Sequence, residues 1–200
     1  MKRVVHRFTR TPPEWQPRIT PVSLAEATPQ QLEALQVTPS NTKVSDYVLV
    51  LAHDPETLAV RSPLFNAIMY GKGGLSRAER ELGAIGASIV NRCIFCAAVH
   101  ADRHAQLSRN PAVTDEIFAN GSAARLEGRD RAIFDFAVAL SQTPPTAERE
   151  HVAALRREGL DDAEISDLIQ STALFGWANR LMHILGDPVR EVDDAPSAES

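Results

Sequence analysis

The sequence predicts an all-α domain behind an extended N-terminal arm. Three observations carry this. From about residue 43 onward, apolar residues recur at spacings of three and four. The segments that do so open on Ser, Thr or Asp capping signals and close on Gly or Pro. No stretch alternates apolar and polar residues over a useful length, as a half-buried strand would.

The elements follow in order. Residues 1–40 carry six of the thirteen prolines (Pro12, Pro13, Pro17, Pro21, Pro29 and Pro39), so most of this segment is expected to be extended. One short helix fits inside it, where Thr28 caps, Pro29 takes the first position and Gln31 completes a capping box. Val44, Tyr47, Val48 and Leu51 mark the next helix. Asp54-Pro55 opens a short helix to Val60, and Ser62-Pro63 opens another to Tyr70, ended by Gly71, Gly73 and Gly74. Ser76 and Glu79 form a capping box before a long helix with Leu82, Ile85, Ile89 and Val90 on its apolar face. A further helix carries the two cysteines and runs to about Leu107. Pro111 opens a short one that stops at Asn120-Gly121. Glu127 to Gln142 is helical, with Pro144-Pro145 as breaker. Thr146 is the expected cap of the next helix, which ends at Gly159. Asp161 and Glu164 form a third box, opening a long helix from Ile165 to Leu185 that Gly186 and Pro188 stop. The divisions are an arm over 1–40, a helical domain over 41–187 and an acidic tail over 188–200.

At 200 residues, 44% apolar and 24% charged, the chain is one soluble globular domain or one domain plus an arm. Its net charge of -5 disfavours a globally basic nucleic-acid binder. No run approaches the roughly 18 apolar residues of a membrane span, and no secretory leader is visible, so a cytoplasmic setting is expected. The charge is uneven. Lys2, Arg3, Arg7, Arg10 and Arg18 face only Glu14 in the arm, while Asp187, Glu191, Asp193, Asp194 and Glu199 face Arg190 in the tail. The ends are either solvated or an ordered arm meeting an acidic tail, with Trp15 and Ile19 to bury.

The chain's two cysteines, Cys93 and Cys96, form one Cys-x-x-Cys, and that is where chemistry is expected. On a helix, Cys93 and Cys96 are about 300° apart and Cys93 and His100 about 700°, so both thiols and the imidazole share a stripe. Cys93 falls in the first turn, where unpaired N–H groups favour a thiolate. Three readings stay open at this point. In one, the pair is a redox dithiol served by His100, with Glu81 of the preceding helix as base. In another it binds zinc. His104 cannot complete that set, because Cys93 and His104 are about 16 Å apart along one helix. Ligands would have to come from His53, His151 or His183. In the third, the pair is structural. Covalent haem attachment is excluded, because the residue after Cys96 is Ala97. No glycine-rich phosphate loop supports a nucleotide site, so no cofactor is expected. His104 reads best as a solvated helix residue. Trp177, Asn179 and Arg180 either line a pocket at the cysteine helix or brace the fold, with Glu79 as a partner for Arg180.

Glu81, eleven residues, Cys93-x-x-Cys96, three residues, His100 resembles the signature of the AhpD-like alkylhydroperoxidases of the carboxymuconolactone decarboxylase superfamily. The resemblance spans about residues 40–187. Phe175-Gly-Trp-Ala-Asn179-Arg180 is similar to a segment of the peroxidase-related branch, and Phe8-Thr-Arg with Trp15 to an extension carried by some of its members. It implies an all-helical homo-oligomer and a thiol peroxidase. By it, Cys96 is the peroxidatic thiol and becomes a sulfenic acid, and Cys93 resolves it as a disulfide. Glu81 and His100 are the proton relay. A hydroperoxide is the substrate, and a thioredoxin-like or lipoyl-type dithiol protein the reductant. The best-studied branch has a histidine just before the second cysteine. Here that residue is Phe95, so one relay member is missing. A redox-sensing helical binding module is the alternative from a different class.

Overall fold

The structure is a computed structural model and describes residues 1–36 and 44–191. Pro39 and the tail residues Asp193, Asp194 and Glu199 lie outside the described residues. In chain order the elements are β1 (Lys2–Val4), β2 (Glu14–Pro17), α1 (Pro29–Ala34), α2 (Asp46–Leu51), α3 (Pro55–Tyr70), α4 (Arg77–Val90) and α5 (Ile94–Ser108). There follow α6 (Pro111–Asn120) with a 3-10 turn over Gly121–Ala123, α7 (Gly128–Ser141), α8 (Arg149–Arg157), α9 (Asp162–Leu185) and β3 (Gly186–Glu191). The expected capping boxes of α1, α4 and α9 all form.

Three local expectations are corrected. The two helices expected over 55–70 are one, with Pro63 inside it. Proline removes one helical donor, but Ala59, whose carbonyl loses that bond, is exposed, so water can replace it. Thr146 does not cap α8. Its N–H and hydroxyl both donate to the Ala139 carbonyl, and Glu148 caps instead, boxed with His151. A small sheet also forms among elements the sequence pattern did not reveal. Its order is β1-β3-β2, both pairs antiparallel, with Lys2 opposite Glu191, Val4 opposite Val189 and Trp15 opposite Pro188. Arm and tail therefore meet, and residues 188–191 are paired in that sheet. Strands this short, two of them holding a proline, carry no readable alternation.

Helix α4 is central and buried continuously from Arg80 to Ile89. It packs on α5, α7 and α9. Small residues make the close approach possible. A Cβ on Gly86 would lie 2.7 Å from the Ala137 Cβ, and one on Gly83 2.9 Å from Leu168 Cδ1. Leu82, Ile85, Ile133, Phe134 and Leu168 fill the main core around it. The box glutamates of α4 and α9, Glu79 and Glu164, are both bound by the Arg129 guanidinium, which ties two helix starts to α7. Among the described residues no helix is long and apolar enough to cross a membrane.

Candidate active site

The site grows from the junction of α4 and α5. Arg92 reverses the chain there in the left-handed region, φ 55°. The Cys93 N–H donates back to the Ser88 carbonyl, which seats Cys93 as the N-cap of α5. Helix α9 locks this turn. The Asn91 amide donates to Asn179 Oδ1, and the His183 Nε2–H donates to the Asn91 carbonyl. Asn179 is fully buried, and its amide nitrogen donates to the Ser88 hydroxyl.

Glu81 projects from α4 with 0% of its surface exposed. A buried carboxylate needs partners, and it has two. One oxygen contacts His100 Nδ1 on α5. The other accepts from Arg77 Nε at 2.8 Å, one turn earlier on α4. Burial alone would raise Glu81, but His100 and Arg77 outweigh it and hold the carboxyl down at about 2. Arg77 lies 3.8 Å above the Tyr70 ring, and the His100 ring meets Phe175 edge-on at 4.3 Å. With Nδ1–H turned to Glu81, Nε2 is the ring nitrogen that this contact leaves over.

Cys93 and Cys96 are buried free thiols packed against Met182, Trp15, Tyr47 and Phe95. A hydrogen bond from the Cys96 thiol lowers Cys93 below its ordinary value. The same bond, with burial, raises Cys96 well above its own. Asn179 adds a hydrogen bond to each sulfur. Of the two thiols, Cys93 is therefore the readier to give up its proton, and Cys96 the one that holds its own.

The structure places the four signature residues together in two linked pairs, Glu81–His100 and Cys93–Cys96, with His100 one turn beyond Cys96 on α5. His104, expected in solvent, is 2% exposed. Its Nδ1 has no partner, and burial lowers its basicity. Arg180 is exposed and binds the Gly176 carbonyl on its own helix, while Glu79 belongs to Arg129. Trp177 is 40% exposed and lines a separate apolar pocket with Leu181 and Val50. Of that trio only Asn179 reaches the thiols. The other candidate zinc ligands are dispersed. His53 bonds to the Thr20 carbonyl, His151 sits in the α8 capping box and His183 holds Asn91. Among the described residues no cluster of three or more such side chains is placed to hold a metal ion. Sequence reasoning missed Arg77, although its spacing of four from Glu81 signals a pair on one helix face. It also missed Tyr47 as a neighbour of the thiols, for which no local signal exists.

Residues 55–121, which contain all four signature positions, match the model of the carboxymuconolactone decarboxylase family. No curated protein matches the chain. Among solved structures, an alkylhydroperoxidase AhpD core described as a peroxidase-related protein, from Ralstonia eutropha JMP134, superposes with a TM-score of 0.73. It is 28% identical over 88% of this chain and 93% of that one. A peroxidase-related protein from Silicibacter sp. TM1040 gives a TM-score of 0.67 at 25% identity, over 88% and 95%. The debrominase Bmp8 has the same fold, with a TM-score of 0.67 at 19% identity over 82% and 87%.

Proposed function

The chain belongs to the carboxymuconolactone decarboxylase superfamily with an AhpD-like fold, and on that premise we propose that it is a cytoplasmic thiol-dependent hydroperoxidase. The observation that carries this reading is a buried, hydrogen-bonded dithiol one helix turn from a buried Glu81–His100 pair.

The chemistry runs in balanced steps. The Glu81–His100 pair takes the first proton from the dithiol. As the Cys96 sulfur attacks the terminal peroxide oxygen, its own proton passes to Cys93 along their hydrogen bond. An S–O bond forms and the O–O bond breaks. Sulfur is oxidised to sulfenic acid, and the leaving alkoxide takes the proton held on His100. Cys93 then displaces hydroxide from the sulfenic acid, giving a disulfide and water. A dithiol protein, thioredoxin-like or lipoyl-type, restores the thiols by exchange. Phe95 stands beside the pair where a histidine would add charge, so the thiolate relies on its neighbour thiol and Asn179 instead. The protein acts as a homo-oligomer in this reading.

The test is hydroperoxide consumption coupled to a dithiol reductant. Cys96→Ser abolishes it. Cys93→Ser leaves a sulfenic acid on Cys96, seen by mass spectrometry after trapping. A Cys96→Ser protein that turns over at the parental rate refutes the mechanism.

A further inference from the structure

Two hydrogen-bond donors beside the thiols are buried without a partner, the indole N–H of Trp15 and the hydroxyl of Tyr47. An unpaired buried donor is costly, so its persistence calls for a ligand that completes it. The two rings meet edge to face at 5.7 Å and pack on Cys93, Cys96, Phe95 and Met182. The indole edge that carries the N–H lies over Gly186. Two cavities flank these rings. One of about 430 Å³ is lined by Trp15, Cys93, Phe95 and Gly186, the other, of about 570 Å³, by Trp15, Tyr47, Phe95 and Arg103. Trp15 and Phe95 line both, with Cys93 at the first and Tyr47 at the second, so there is open space on either side of these rings.

Apart from His100, which delivers the proton, the other groups packed on the thiols do not supply a hydrogen bond to a reactant. Phe95 and Met182 carry no donor. The Asn179 amide is committed to Ser88 and the sulfurs. Tyr47 keeps its proton at neutral pH, because burial pushes its phenol up to about 12.

We propose that Tyr47 is a further catalytic residue whose hydroxyl donates a hydrogen bond to the peroxide oxygen that leaves as the cysteine sulfur is oxidised. The proposal rests on the hydroperoxidase reading. The bond strengthens as negative charge develops on that oxygen, so it acts in the transition state more than in the ground state. The proton that completes the alcohol still comes from His100, and the tyrosine ends the step unchanged.

The test is single-turnover oxidation of the reduced full-length protein by tert-butyl hydroperoxide and by peracetic acid. An alkoxide leaves the first and needs help; a carboxylate leaves the second and does not. Tyr47→Phe is expected to slow the alkyl hydroperoxide about 100-fold and the peracid within about threefold. Reduction of the preformed disulfide by dithiothreitol stays at the parental rate, which shows the site is intact. Equal slowing with both oxidants, or none with either, overturns the role of Tyr47 alone. Parental protein inert to both oxidants overturns the hydroperoxidase reading and this role with it. If Tyr47→Phe does not fold, 3-fluorotyrosine incorporated in a Tyr70→Phe background replaces it. Its more acidic phenol raises the rate with alkyl hydroperoxide relative to peracid, and an unchanged ratio refutes the proposal.

Discussion

At the residue scale, the decisive group is Glu81, a carboxylate with no solvent contact that stays ionised because His100 and Arg77 both hold it. Its folded value of about 2 lies below the ordinary 4.5. A depressed carboxylate stabilises the fold above its unfolded value and loses that contribution as pH falls. The contribution is roughly 3 kcal/mol, present above pH 4.5 and gone by about pH 2. Glu81→Gln removes the pH dependence in that window, which acid unfolding followed by circular dichroism measures. It also strands Arg77 and His100, so about 3 kcal/mol of stability at neutral pH should go with it. Thiol activation suffers too, with peroxide turnover expected to fall 10²- to 10⁴-fold, roughly the worth of a general base. A parental rate and an unshifted thiol titration in Glu81→Gln would remove it from the relay. His104 shows the limit of reading single residues. Its position one turn after His100 is evident on a helical wheel, yet its burial follows from helices that close over α5.

At the element scale, local rules and local outcomes agree where the signal is a capping box. Thr28/Gln31, Ser76/Glu79 and Asp161/Glu164 each start a helix at the expected residue, because the box closes with atoms three residues apart. They fail where a longer-range contact competes. Thr146 is drawn to the Ala139 carbonyl, and α8 begins later on Glu148. Pro63 is the other failure, since packing of Leu58 and Met69 on opposite sides of it holds one continuous helix. Pro63→Ala restores a backbone donor at an exposed position of α3. It is expected to stabilise the protein by about 1–2 kcal/mol, the helix gain less the added freedom of the unfolded chain. That corresponds to a Tm rise of roughly 3–6 °C by calorimetry, and a fall would show that proline is needed there.

At the scale of the whole molecule, arm and tail are parts of the site. The β1-β3-β2 sheet lays Trp15 against Gly186 and over the thiol cluster. A Cβ at Gly186 would lie 2.5 Å from Trp15 Cζ2 and 2.7 Å from the Gln16 carbonyl oxygen. Gly186→Ala therefore unseats the indole, at a cost of about 1–3 kcal/mol typical of overpacking. In a Trp177→Phe background its tryptophan emission should shift to the red, and iodoacetamide should alkylate the dithiol faster than in the parent. Unchanged emission and alkylation would mean the arm does not guard the site. The sequence by itself determined the helical class and most helix starts, and it singled out Glu81, Cys93, Cys96 and His100 as candidates, because periodicity, capping and motif spacing are local properties of the chain. Only the tertiary structure decided the three-stranded sheet, the burial of His104, the lock of Asn179 on the α4–α5 turn, and the placing of Tyr47 and Trp15 at the sulfurs. Those contacts join residues tens to more than a hundred positions apart, and they exist only once helices and arm have packed.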